Sequence, residues 1–437
     1  MKKTLFICFL LCMSFSLHYS EAFAANRLPL RVQMVLVKVA PLLEKQQYSQ
    51  AIKLLDTFKN KADGPTDPVY NHAEIHFVLG NCYLLMEQLQ QARASFLLAV
   101  AKNPKHVGAW QNLAKTEYEL EHYNQASKAF FKTYLLTEKT KAKYLYFSAI
   151  ALLIDGQYLA SLKHFETLLA THPQAVTLQW KENLIYALIQ AKKPEKALPY
   201  MIELCHGFTG KKQQKWQEIL LQHYMALDMR EEALNLAQTL TRQAPTVSLW
   251  WKGLTHIQLQ YEQYKKALAA MTIYSFLTPL TSEEEKLLGD LYMQQGIPLK
   301  AAVYFEHYAH NKPSRQTILQ LIRAYRSLGR NELALQKLNG FIQDHQDPKL
   351  EMERGEILYA MDRYSEAATT FERTAKGKGK HSAKAFLMAG YSYWQLGEYD
   401  KARATFSKIT DMKQGFVNEA ATALKQLTSA STSNPEQ

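Results

Sequence analysis

The chain has 437 residues, 47% of them hydrophobic and 21% charged, a composition that buries a core and excludes wholesale disorder. Its formal net charge of +12 is compatible with an acidic protein, an anionic membrane surface or nucleic acid. The cations are dispersed, however, with clusters only at TEKTKAK, GKKQQK and TAKGKGKHSAK, and they read as solvated charges of loops and helix ends.

In chain order, the first residues, MKKTLFICFLLCMSFSLHYSEAFAAN, set Lys2 and Lys3 before an apolar run from Leu5 to Leu17 and a small-residue site at Ala22-Phe23-Ala24. This is the layout of a secretory signal peptide over residues 1–24, cleaved near Ala24. An uncleaved anchor is the alternative, but no stop-transfer element follows Ala24. Cys8 and Cys12 follow the bulky Ile7 and Leu11, which disfavours lipidation. The expectation is a soluble periplasmic protein, a location that sets nucleic acid aside. Cleavage leaves Cys82 and Cys205, expected as two buried thiols.

From residue 25 onward an internal period emerges. A small residue recurs at Ala51, Ala92, Ala126, Ser161, Ala197, Ala233, Ala267, Ala301, Ala334, Ala367 and Ala402, at spacings of 41, 34, 35, 36, 36, 34, 34, 33, 33 and 35. Twelve residues earlier a second small residue recurs, as Gly80, Ala114, Ala149, Gly289, Gly355 and Gly390, where two helices must approach closely. Phe96, Phe130, Phe165, Phe305, Phe371 and Phe406 stand four after the comb residue, on the same face of a helix. Pro104, Pro173, Pro245, Pro279 and Pro313 stand twelve after it, where that helix must stop. Gly156, Gly296, Gly329 and Gly397 mark a short turn before it, and Pro194 and Pro298 open the helix that follows. Each unit is helix, turn, helix, and stacked units bury a core that one pair cannot.

The segments LGNCY…A…F…P, WQNLA…A…F and LGDLY…A…F…P resemble tetratricopeptide repeats, whose pattern is W-x2-L-G-x2-Y, then A-x3-F, then P. The resemblance covers roughly residues 30 to 416 and implies an all-α fold: an α-solenoid superhelix of about eleven tetratricopeptide helix-turn-helix repeats. Residues 25–72 hold a first, divergent repeat and the polar insert NKADGPTDP, and residues 73–416 the main array. The repeats around Trp180 and Trp216 lack the glycine and phenylalanine but keep the spacing. VNEAATALKQL, 417–427, reads as a capping helix and 428–437 as a disordered tail.

No catalytic constellation is present in the sequence. Gly289 and Gly296 do not form G-x-x-x-x-G-K-[ST], and the chain beyond residue 24 holds no H-E-x-x-H and no C-x-x-C. His307 and His310 are three apart on one helix but lack a third ligand, so no metal and no cofactor is expected. Trp250-Trp251 offers a ligand platform, although Trp251 falls on the repeat tryptophan position.

The resemblance implies a concave groove lined by the first helix of each repeat. Candidate partner-binding residues there are Tyr118, Tyr146, Tyr186, His256, Asp290, Met293, Arg323, Arg326, Tyr359, Tyr391 and Trp394, rich in the aromatic and arginine side chains that dominate recognition. Some family members clamp a partner's C-terminal carboxylate with lysine and asparagine on successive first helices. The matching lysines are Lys252 and Lys286, but His256 and Asp290 stand where asparagine is expected. The reading is a non-enzymatic periplasmic scaffold that binds an envelope protein or peptide segment, with membrane association through that partner. LYMQQGIPLKAAVYFE, with the size and the exported location, resembles the periplasmic repeat proteins that accompany TonB, ExbB and ExbD. An assembly factor for polysaccharide export, pili or outer-membrane proteins is the alternative.

Overall fold

The computed structural model describes residues 28–61, 67–344, 347–376, 382–412 and 415–432. The expected signal peptide, the middle of the polar insert and the last five residues of the expected tail lie outside them. The described residues are helical throughout, joined by short turns, with no strand among them. The architecture is an all-α solenoid of helix pairs.

The helices fall into two compact units, residues 1–223 and 224–437. In the first, α1 (Leu30–Glu44) pairs with α2 (Tyr48–Lys59), α3 (Ala73–Leu85) with α4 (Leu89–Lys102), and α5 (Val107–Glu119) with α6 (Tyr123–Leu136). Then α7 (Ala142–Ile154) pairs with α8 (Tyr158–Thr171), and α9 (Leu178–Gln190) with α10 (Leu198–Gly207). Helix α11 (Gly210–Ala226) runs across the boundary. The second unit holds α12 (Arg230–Gln243), α13 (Ser248–Gln260) with α14 (Tyr264–Leu277), and α15 (Ser282–Gln294) with α16 (Pro298–Asn311). It continues with α17 (Arg315–Ser327) and α18 (Asn331–Asp344), α19 (Pro348–Ala360) and α20 (Tyr364–Lys376), α21 (Ser382–Gln395) and α22 (Tyr399–Met412), and ends in α23 (Val417–Thr432).

The eleven comb residues all have 0% exposure, so the sequence period marks the points of closest packing. Only small side chains fit there. Ser161 is tolerated because its hydroxyl donates to the carbonyl of Ala149 at 2.7 Å, leaving no polar group unsatisfied. The phenylalanines four residues on are buried with them. Their rings lie over the first-helix glycines: a Cβ on Gly80 would stand 2.5 Å from Phe96 and one on Gly289 2.7 Å from Phe305.

Each first helix ends in the same cap. The residue five before the comb position adopts the left-handed region in all eleven pairs, as glycine at 156, 296, 329 and 397. In the other seven it is Gln46, Glu87, Glu121, Lys192, Asp228, Glu262 or Asp362. The next amide bonds back to a carbonyl five residues earlier, as in Gln88 N–H to Tyr83 O at 2.9 Å and Ile297 N–H to Tyr292 O at 2.9 Å. This six-to-one bond is the Schellman closure, which reverses the chain within two or three residues. Pro298 then opens α16 at its first residue, whereas Pro194 opens a 3-10 turn, Pro194–Ala197, ahead of α10.

The ends of the chain differ. Helix α23 covers the last repeat, burying Ala420, Ala423 and Leu427 with Ala402, Phe406 and Ile409. It extends to Thr432, so residues 428–432, expected in the tail, continue the helix instead. At the other end α1 buries Val32, Val35 and Val39 against the first core but leaves Leu30, Met34 and Val37 bare. Cys82 and Cys205 are both free and buried, and burial pushes their thiols up to about 12 and about 11.

Candidate functional site

In a paired-helix repeat, positions of the first helix that do not face the second helix are available for contacts along the stack or with a ligand. In the second unit these positions form a polar ladder. On α15, Asp290 accepts from Lys286 Nζ at 2.9 Å and from Gln320 Nε2 of α17 at 2.6 Å. On α17, Arg326 lies 3.3 Å from Glu353 and 3.9 Å from Glu356 of α19. Glu356 in turn meets Lys384 Nζ of α21 at 2.6 Å. The bonds tie four successive first helices together, α15 to α17 and then α17 through α19 to α21.

Arg323 stands one turn before Arg326 on α17, exposed, with no ion-pair partner among the described residues. It is the uncommitted cation of the row. Beyond it, Tyr359 is half-buried and packs edge-on to Tyr364 at 5.2 Å. Tyr391 and Trp394 are half-buried and stack at 6.3 Å, Trp394 meeting Phe406 edge-on from beneath. Met293 is half-buried against the core of the unit.

The two lysines at the clamp positions are already bound to carboxylates. Lys252 lies 2.8 Å from Glu284, and Lys286 holds Asp290. Burial alone would raise the Glu284 carboxyl. Hydrogen bonds from Lys252, from the Thr281 backbone and hydroxyl and from Tyr274 outweigh it and hold the group at about 2. Thr281 and Glu284 also form a reciprocal capping box at the start of α15, so this carboxylate serves the helix as well. His256, one turn after Lys252, is held below the ordinary histidine value by desolvation and then by the Lys252 ammonium.

The first unit carries an equivalent row. Asn112 of α5 donates to Asn81 of α3 at 2.6 Å, Tyr144 of α7 donates to Gln111 of α5 at 2.8 Å, and Asn183 of α9 donates to the Tyr146 hydroxyl at 2.7 Å. Glu182 accepts from Trp216 Nε1 at 2.9 Å and from Lys212 at 3.1 Å. Tyr186 on α9 is half-buried.

Two of the expected groove residues are not at the surface. Tyr118 is 4% exposed and packs edge-on to Tyr123 across its own turn, and Tyr146 is 8% exposed and stacks flat on Trp180 at 4.2 Å. Both rings are core: Tyr118 is covered by the aromatic ring of its own second helix, and Tyr146 by Trp180 of the next repeat. The Trp250-Trp251 platform is absent too. Trp250 is 1% exposed, and Trp251 donates from Nε1 to the carbonyl of Pro245 at 2.8 Å, as Trp110 does to Pro104. His307 meets Glu285 at 2.7 Å, and no group of three metal-binding side chains occurs among the described residues.

Reading by residue type missed the ladder residues Asn112, Gln320, Glu353, Glu356 and Lys384. Their signal was positional: Asn81, Asp290 and Glu356 each follow the first-helix small residue by one, Asn112 and Glu353 precede it by two, and Gln320 precedes by two Ile322, which holds the same place in its repeat.

Models of the tetratricopeptide repeat match residues 73–106 and 352–415. None of the curated proteins matches the chain. Among solved structures the chain is similar to Naa15/Naa10 bound to HypK-THB, with 14% identity and a TM-score of 0.40 over 90% of this chain. The match takes in 66% of that protein, just under two thirds of its length. It is similar to YrrB, a repeat protein with an unusual peptide-binding site, with 18% identity and a TM-score of 0.35 over 43% of this chain and 97% of that one. A tetratricopeptide repeat protein from Parabacteroides merdae ATCC 43184 matches with 14% identity and a TM-score of 0.29, over 67% of this chain and 98% of that one.

Proposed function

We propose a binding function for a chain that is a tetratricopeptide-repeat protein: a non-enzymatic adaptor that holds a protein or peptide segment against the first helices of its repeats. The observation that carries this reading is the row on α15, α17, α19 and α21. Its charged groups are mostly engaged with one another and so fixed in place, while Arg323 of α17 stays exposed and uncommitted and the half-buried rings of Tyr359, Tyr391 and Trp394 lie on the first helices that follow, α19 and α21. A rigid polar frame with a free arginine and pre-packed aromatic faces binds at low entropic cost. The carboxylate-clamp mode is disfavoured, since Lys252 and Lys286 already hold Glu284 and Asp290. An acidic, aromatic-rich segment of a partner suits Arg323 better.

The leader-like start of the sequence supports a periplasmic location and therefore an envelope partner. The resemblance of LYMQQGIPLKAAVYFE to proteins that accompany TonB, ExbB and ExbD favours such an energy-transduction system as the setting. The test is in-cell photo-cross-linking from positions 323 and 391, with position 303 on the outer side of α16 as the reference. Both first-helix positions are expected to capture the same envelope protein and position 303 not to. Cross-links scattered over unrelated abundant proteins, or equal capture at 303, would remove the reading.

A further inference from the structure

We infer that α1 is a docking helix for an anionic membrane surface. This goes beyond partner binding on the first-helix row of the second unit and involves the opposite end of the sequence.

Helix α1 has two apolar faces where a terminal helix needs one. Val32, Val35 and Val39 face the core, while Leu30, Met34 and Val37 are 71%, 56% and 62% exposed, at the i, i+4, i+7 spacing of a second stripe. The last repeat has α23 to cover it, but the first has no counterpart among the described residues. Array ends ordinarily show water a polar face. This one shows three large apolar side chains in a line.

The flanks of the stripe say what covers it. Arg31 and Lys38 border it on α1, both exposed, and a cleft of about 240 Å³ opens beside it toward α2. The cleft is lined by Arg31, Met34, Lys38, Phe58, Lys61 and Tyr70 among others, with no carboxylate among its lining residues. Arg31 Nη1 is steadied by a 2.8 Å bond to the Tyr70 hydroxyl, and Lys38 and Lys61 have no ion-pair partner among the described residues. The occupant is therefore apolar in the middle and anionic at the edge.

A second copy of the chain fails on charge, because a symmetric pairing through this stripe sets Arg31 and Lys38 against their own counterparts. A partner helix seats best in a groove between ridges of side chains. The stripe itself is a ridge on the outer side of α1. A ridge of Leu, Met and Val flanked by cations, next to a small basic cleft, matches a bilayer interface: the apolar side chains enter the headgroup boundary and the cations meet lipid phosphates.

The test is co-sedimentation of the full chain, as recovered from the cell, with vesicles of phosphatidylcholine alone or with about 30% phosphatidylglycerol. Wild type is expected to bind the anionic vesicles about tenfold more strongly, and added salt to weaken that binding. Met34→Asp with Val37→Asp, and Arg31→Glu with Lys38→Glu, are each expected to lower it about tenfold. Helical circular dichroism should stay unchanged, since all four side chains are exposed. Val303→Asp, the same change at another exposed site, should have no effect. Equal binding to both vesicles, no binding, or indifference to the α1 variants would overturn the inference. So would a dimer in sedimentation velocity that the α1 variants abolish, which would make the stripe a self-contact.

Discussion

Gly289 and Phe305 interlock across the turn of one repeat: the ring of Phe305, 0% exposed, lies where a side chain on Gly289 would begin. Replacing Gly289 by alanine adds helix propensity of about 1 kcal/mol, but the new Cβ would sit 2.7 Å from the ring and force it aside. Overpacking of this kind costs about 1–3 kcal/mol. We expect Gly289→Ala to destabilise by about 1–2 kcal/mol in denaturant melts, and Phe305→Leu in that background to cost less than in the wild type. Additive losses would show that the two do not meet.

The turn residues make a prediction of opposite sign. Glu121 holds a φ of 60°, where a side chain costs roughly 1–2 kcal/mol and glycine nothing comparable. Glu121→Gly should therefore stabilise by about 0.5–1 kcal/mol, the unfolded-state entropy of glycine taking back the rest. Gly296→Val, at φ 70°, should destabilise by at least as much. Thermal melts of the two variants, read against wild type, give both signs in one experiment.

Glu117 is a buried carboxylate, 2% exposed, held by Arg93 Nε at 2.9 Å and His122 Nδ1 at 2.8 Å. Arg93→Ala strands part of that charge in the core and is expected to cost about 2–4 kcal/mol, more than an exposed ion pair ever contributes. Glu117→Gln keeps the shape and should cost less. Equal, small losses for both would mean that water reaches the carboxylate.

His76 sets an acid limit. It is 2% exposed and bonded to Asn71 at 2.6 Å, and burial, then the Lys59 and Lys102 ammonium groups, lower its pKa to about 4. A histidine depressed in the folded state binds its proton more readily when unfolded, so stability is full above about pH 6.5 and falls as pH drops toward 4. We expect a loss on the order of 1–2 kcal/mol between pH 7 and 4.5 that His76→Gln abolishes, measured as the pH dependence of the melting temperature.

The fold was legible because its determinants are local and repeat. The small residues from Ala51 to Ala402, the phenylalanines after them and the turn glycines each answer to one steric requirement, and the period brings all of them back at intervals near 34. The turns without glycine were less visible: Glu87, Glu121 and Lys192 carry no sign in their residue type of the left-handed conformation that their register imposes. The candidate site was legible only in part. Arg323 and Arg326 lie at the surface as their spacing implies, but Tyr118 and Tyr146 occupy the same kind of position and are buried. Tyr146 is covered by Trp180 of the next repeat and Tyr118 by Tyr123 across its own turn, and a periodic pattern does not encode such individual pairings.

The two buried thiols give the first unit a built-in clock. Cys82 sits in α3 and Cys205 in α10, and with their acidities pushed to about 12 and about 11 neither forms thiolate at neutral pH while its helix stays packed. Alkylation in native buffer then proceeds only through opening events. Peptide mapping of which cysteine is alkylated first would time the loosening of α3 and α10 separately, with no residue substituted to carry the probe.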